Sequence, residues 1–152
     1  MTLRAVASAD AVADDALAEF QGHLHLAFAR MTAAWRDAAA RIHPDLSPAA
    51  YKLLSFIART GSANAHQLVE TFGMDKSFVS RQVRMLEDLD LVQSRPDESD
   101  GRQRVLTATP EACAALAEVR THHAVWLRSA LARLSPDEMR AASKAFQVLS
   151  EV

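Results

Sequence analysis

Between residues 75 and 108 the pattern DKSFVSRQVRMLEDL runs directly into LVQSRPDESDGRQRVLTAT. Apolar spacing switches there from the three-to-four-residue step of a helix to two strand-like runs around a charged, glycine-containing loop. That order, helix then strand, loop and strand, is the strongest constraint the chain carries on its own fold. Just upstream, HQLVETF reads as a short helix over 66–72, and Gly73 separates it from the helix that starts near Asp75. Two helices joined by a three- or four-residue turn containing glycine make a helix-turn-helix. A helix with cations on one face, followed by a hairpin with a cationic tip, has the shape to occupy two neighbouring grooves of one DNA duplex.

The flanks must support this middle. From Leu17 the apolar positions Leu17, Phe20, Leu24, Phe28, Met31, Trp35, Ala38 and Ile42 step by three or four, giving one long amphipathic helix. Ser47, Thr109 and Ser135 are each followed by proline, the arrangement of an N-cap hydroxyl and a pre-set first helical residue; Glu138 completes a capping box with Ser135. The first of these starts opens PAAYKLLSFIART, whose Tyr51, Leu54, Ile57 and Ala58 form an apolar face before Gly61 ends it. The second opens a long helix carrying Ala112, Leu116, Val119, His123, Trp126, Ala130 and Leu134, and a last helix runs to the C-terminus. The expected fold class is mainly α with a small β-hairpin wing: a winged helix-turn-helix over residues 46–108. Long N- and C-terminal dimerisation helices, 1–45 and 109–152, flank it within a single domain.

At 152 residues the chain is long enough to bury about 70% of its unfolded surface without a disulfide scaffold. Cys113 is the only cysteine, which excludes an intrachain disulfide and fits a reducing compartment; its ordinary reading is a small core or interface residue. Asp10, Asp14 and Asp15 interrupt the alanine-rich N-terminus before any apolar run reaches signal or membrane-span length, so a cytoplasmic protein with no membrane association is expected. The net charge of −2 argues against a chain that coats nucleic acid indiscriminately. Any DNA binding has to come from local charge placement.

On the helix after Gly73, Val79, Val83 and Leu86 share one face, while Ser77, Ser80, Arg81 and Arg84 share another. The first set anchors and the second can read. Lys76, Ser77, Ser80, Arg81, Gln82 and Arg84 supply the donors that phosphates and guanine edges accept, with Arg81 the best base reader and Asp75 a cap or first-turn acid. Phe78 lies beside the reading face, either on a thymine methyl or packed beneath the turn. Across 75–104, six cations (Lys76, Arg81, Arg84, Arg95, Arg102, Arg104) face seven acids (Asp75, Glu87, Asp88, Asp90, Asp97, Glu98, Asp100), a net of −1. The acids Glu87, Asp88 and Asp90 gather at the helix C-terminal end, away from a groove entered by the first turns. In the loop, Asp97, Asp100 and Gly101 favour a turn from which Arg102 projects toward a minor groove. Asp100, two residues away, is placed to salt-bridge Arg102 and hold its guanidinium, or to form a solvated turn pair with it.

The run LSPAAYKLL and then HQLVETFGMDKSFVSRQVRMLEDLDLVQSRPDESDGRQRVLTATPEA resembles the MarR family of winged-helix transcriptional regulators, with Asp100-Gly101-Arg102 and Leu106-Thr107 in the place of its wing signature. The resemblance implies a homodimer built from interlaced terminal helices. It also implies a pseudo-palindromic double-stranded DNA operator, read by the recognition helices in successive major grooves and by Arg102, with Asp100 as its partner, in the adjacent minor groove. It further implies a repressor released by a small effector such as a phenol or an aromatic carboxylate, with His23, Arg30 and Tyr51 as lining residues of the cleft between long helices and winged helix. Two positions depart from the family pattern: Asp90 stands where glycine is usual, and the closing Thr-x-x-Gly becomes Thr107-Ala108-Thr109-Pro110-Glu111-Ala112. Both bear on loop geometry alone.

No nucleophile elbow, phosphate loop or metal motif appears, His122-His123 lacks a neighbouring ligand at metal spacing, and the chain is read as a non-enzyme without cofactor, catalytic residues or metal site. The rival reading is a winged-helix protein-interaction module without sequence-specific DNA binding.

Overall fold

The computed structural model describes the backbone of residues 2–151 and the side chains of residues 11–151. Met1 and Val152, the ends of the expected dimerisation region, lie outside the described residues. Six helices and one hairpin follow in the order α1 (Thr2–Ile42), α2 (Pro48–Thr60), α3 (Ala65–Phe72), α4 (Lys76–Asp88), β1 (Val92–Pro96), β2 (Arg104–Ala108), α5 (Pro110–Leu131) and α6 (Pro136–Ser150). This is a mainly α winged helix-turn-helix. The first helix begins well before Leu17, where the apolar stripe starts. The alanine-rich lead-in has high helix propensity but no apolar periodicity, so the pattern alone stopped short of it.

All three hydroxyl-proline starts are N-caps. Ser47 accepts from the N–H of Ala50, Thr109 from that of Ala112 and Ser135 from that of Glu138, whose carboxylate returns the bond to Ser135 N–H. Burial of the carboxyl in these exchanges is negligible, and the Ser135 backbone N–H and hydroxyl hold the Glu138 carboxyl below its ordinary range. Gly61 and Gly73 end α2 and α3 at φ 81° and 59°, conformations that side chains with a Cβ resist.

The α4 terminus is unusual. Asp90 takes φ 55° with no glycine, Asp90 N–H donates to Glu87 O at 3.0 Å, and Leu91 N–H donates to Leu86 O at 2.9 Å. That is a Schellman closure with aspartate in the left-handed position. Thr109 Oγ1 donates to Asp90 O at 2.9 Å, so the start of α5 is tied to the end of α4.

The core lies between Ala39 and Leu116 and gathers Leu53, Leu54 and Ile57 of α2, Leu68 of α3, Val79 and Leu86 of α4, Val92 and Leu106 of the hairpin, and Ala112 and Leu116 of α5. The hairpin is antiparallel, pairing Val92 with Ala108 and Pro96 with Arg104. Ala63 adds a third rung by exchanging two backbone hydrogen bonds with Leu106, at 3.0 and 2.7 Å. This fixes β2 against the segment that leads into α3, and no periodicity marks it in the sequence.

The terminal helices look different. At 1.5 Å per residue α1 is about 60 Å long, yet Ala39 is its only buried residue among those whose side chains are described, and α6 buries none. Leu17, Phe20 and Phe28 of the expected stripe are exposed, as are Val125, Trp126, Leu127, Leu134, Met139, Phe146, Val148 and Leu149. Cys113 is also exposed, which removes the core option for it. No helix is long and apolar enough to cross a membrane.

Candidate nucleic-acid interface

Asp75 sets the phase of α4. Its carboxylate accepts the N–H groups of Ser77 (2.8 Å) and Phe78 (3.1 Å) and the hydroxyl of Ser77, and these bonds, the Ser77 hydroxyl foremost, hold its carboxyl below the usual carboxylate range. With the helix so started, Val79 and Leu86 fall on the core side and Lys76, Ser77, Ser80, Arg81 and Arg84 on the solvent side. Arg81 lies with its guanidinium 5.8 Å from the Phe78 ring centroid and an Nη1 contact of 3.4 Å to Ser77 Oγ, so the first two turns hold it in place. Phe78 is half-buried.

Gln82 is not on that face. It follows Val79 by three residues and precedes Leu86 by four, which puts it on the buried stripe, where it is 8% exposed and its Oε1 accepts the Ser47 hydroxyl at 2.7 Å. Its role is to join the α4 face to the α2 cap. The helical phase that places Val79 and Leu86 was sufficient to find this.

Asp100 is likewise reassigned. Its Oδ1 accepts the backbone N–H of Arg102 at 3.1 Å, and no side-chain ion pair with Arg102 is formed. Extended-strand geometry does not apply here, because the chain turns: Asp97 Oδ1 accepts from Ser99 N–H, Ser99 Oγ and Asp100 N–H, and Gln103 N–H donates to Asp100 O at 2.9 Å. Asp100 therefore orients the backbone of Arg102 and leaves its guanidinium free. The Ser99 hydroxyl and the two amides hold the Asp97 carboxyl below its ordinary range.

Between α4, the start of α3 and the hairpin runs an open groove of about 500 Å³ lined by Lys76, Ser80, Arg84, Arg102 and Arg104, with Asn64, His66, Gln103, Ser94 and Glu87 completing its walls. Lys76, Ser80, Arg84 and Arg102 were expected at the site. Arg104, Gln103, Asn64 and His66 were not, because their position depends on the Ala63–Leu106 rung folding the hairpin back against α3. Asn64 Nδ2 donates to Gln103 Oε1 at 3.2 Å across that junction. Among the described residues the close ion pairs are His43–Asp45, His66–Glu70 and Arg140–Asp137. None involves the six cations of α4 and the hairpin.

His23 and Arg30 are exposed on α1, whereas Tyr51 lines a cavity of about 240 Å³ with Trp35, Arg120 and His123. Of the three residues expected around an effector, Tyr51 alone lines this cavity; His23 and Arg30 lie further toward the N-terminal end of α1.

Residues 45–103 match a family model described as the MarR family. Solved structures share the fold over nearly the whole chain. A MarR family transcription regulator superposes with a TM-score of 0.84 at 20% identity, covering 94% of this chain and 93% of that one. A mutant MarR from E. coli complexed with operator DNA gives 0.70 at 14% identity over 89% and 96%. A probable transcriptional regulator from Pseudomonas aeruginosa gives 0.64 at 28% identity over 83% and 92%. No curated protein matches the sequence significantly.

Proposed function

We propose that this chain, whose residues 45–103 match the MarR family model, is a MarR-type DNA-binding transcriptional regulator that grips its operator through the groove between α4 and the hairpin. One observation carries the reading: Lys76, Arg84, Arg102 and Arg104 open onto a single groove, and none of them is ion-paired among the described residues. Unpaired cations on one concave surface are what a phosphate backbone neutralises, and a helix presenting Ser77, Ser80 and Arg81 beside them reaches base edges.

The exposed apolar residues of α1, α5 and α6 support a homodimer. Phe20, Phe28 and Phe146 lie on helices that contribute little to the monomer core, Trp126 and Leu127 on the part of α5 beyond its buried residues, and burying them against a second copy would supply the missing partner surface. Two copies would present two α4 helices to a pseudo-palindromic operator in half-sites about one DNA turn apart. Repression relieved by a small aromatic or phenolic effector is the mode this architecture favours, with the cavity at Trp35, Tyr51, Arg120 and His123 as its binding place. Such a protein acts in the cytoplasm.

The test is selection of duplexes from random DNA, followed by a salt titration of the selected site. Binding should weaken steeply as salt rises, by a slope of about −0.9 per phosphate contacted. A salt-independent response would point to a protein partner instead.

A further inference from the structure

Among the described residues Glu87 is the one acid on the wall of a groove that also carries Lys76, Arg84, Arg102 and Arg104, and its surroundings explain how it is tolerated there. The Ser94 hydroxyl of β1 donates to Glu87 Oε1 of α4. Ser94 Oγ in turn accepts from Arg104 of β2 twice, from Nε at 2.9 Å and from Nη2 at 2.7 Å, and Nη2 also donates to the Ser94 carbonyl at 2.9 Å. A hydroxyl has one proton and two acceptor lone pairs, and here all three are used. Arginine can only donate and an ionised carboxylate can only accept, so the direction of every bond is determined. No ion pair joins Arg104 directly to Glu87. One hydroxyl therefore links three elements: the recognition helix, the first strand of the wing and the second.

We propose that Ser94 is a positioning residue for DNA binding, and that through Arg104 and Glu87 it locks the wing at a set angle to α4 so that Arg84 and Arg102 meet one phosphate backbone together. The inference rests on the DNA-binding reading of this groove. Arg104 has a double part, since its bonds among the described residues come from Nε and Nη2 and leave Nη1 available to phosphate. A second consequence is electrostatic: with its oxygen engaged by a hydroxyl that Arg104 polarises, Glu87 opposes an approaching phosphate less than a free acid would.

Two properties separate positioning from simple phosphate contact. Ser94→Ala removes no charge, and Arg104→Lys keeps the charge while losing the planar fork that grips Ser94 from two nitrogens. Each should weaken binding to the selected duplex about tenfold while leaving the salt slope unchanged, because the number of phosphates neutralised is the same. The pair should be non-additive, the double variant binding no worse than either single one. Ser94→Thr, which retains the hydroxyl, should restore affinity. Independently of DNA, the Arg104 Nε–H proton should exchange slowly with solvent in the wild-type protein and fast in Ser94→Ala, as read by side-chain NMR. A fast-exchanging Nε–H in the wild type overturns the link itself, whatever the protein binds. Wild-type affinity in Ser94→Ala, or losses that multiply in the double variant, overturn the positioning role. A protected Nε–H in a protein with no salt-dependent duplex binding overturns the DNA reading and, with it, the purpose assigned to the link.

Discussion

Arg102→Ala tests the groove most directly. Four cations, Lys76, Arg84, Arg102 and Arg104, line it in each protomer, so a dimer gripping one duplex neutralises about eight phosphates through them and the log–log salt slope should be about −7. Removing Arg102 from both protomers leaves about six contacts and a slope of about −5.4. Over a fourfold rise in salt the wild type should then lose a little more than four decades of affinity and the variant a little more than three, on the order of a tenfold difference in sensitivity. If Arg102 acts only by releasing counterions, the two lines meet near 1 M salt and the variant is about sixtyfold weaker near 0.1 M. Arg102 makes no ion pair and its backbone N–H is held by Asp100, so the substitution leaves the turn intact and the comparison clean. Fluorescence anisotropy of a labelled duplex over a KCl series measures both lines. Parallel lines would refute the reasoning: a variant that is weaker at every salt with an unchanged slope has lost something other than a phosphate contact.

Other consequences separate structural residues from interface residues. Gln82→Ala leaves the half-buried Ser47 hydroxyl without its acceptor and removes a buried side chain, so chemical denaturation should register a loss of about 2 kcal/mol, with the salt slope untouched; a normal stability with altered DNA binding would return Gln82 to the reading face. Asp90→Gly relieves a left-handed aspartate, and the urea midpoint should rise by the equivalent of about 0.5–1 kcal/mol, since Thr109 bonds only the backbone carbonyl there. The Asp75 and Asp97 carboxyls are depressed when folded, so their contribution is fully present above the ordinary value of 3.8 and disappears as pH falls through the lower folded values. Denaturation midpoints should hold steady down to that point and then decline, less steeply in Asp75→Asn. Trp126→Glu places a charge on the exposed apolar face of α5, and light scattering should show a dimer for the unaltered protein and a monomer for the variant.

Much of the fold was legible because its boundaries are chemical. Hydroxyl-proline pairs announced three helix starts, Gly61 and Gly73 two ends, and the change of apolar period the hairpin. Lys76, Ser80, Arg84 and Arg102 were identifiable as groove residues because solvent-facing phase on a helix and position in a turn are local properties. Gln82 was misassigned by residue type, polar side chains being expected outside, although its phase opposed this. Arg104, Asn64 and Gln103 were out of reach for a different reason. They become neighbours only when the Ala63–Leu106 rung closes, a contact between segments some forty residues apart that no spacing rule encodes. His23 and Arg30 do not line the Tyr51 cavity, since a stripe on one helix does not say which part of it lies beside Tyr51.

The negative charge of the reading segment resolves in the same terms. Seven acids against six cations suggests a surface that repels DNA, if each charge is treated as free. Four of the seven acids are engaged locally: Asp75 caps α4, Asp97 and Asp100 hold the turn, and Glu87 is bound to Ser94. Each of these bonds fixes a carboxylate at an element boundary, while the cations of the groove make no ion pair among the described residues. Coulomb interactions fall with distance and are screened within about 8 Å at physiological salt, so a phosphate in the groove responds to the four cations that line it more than to the segment's total. Removing an acid should therefore alter binding according to where it sits. Asp88, at the far end of α4, should change affinity little when made Asn, whereas Glu87→Gln acts on the wall of the groove itself.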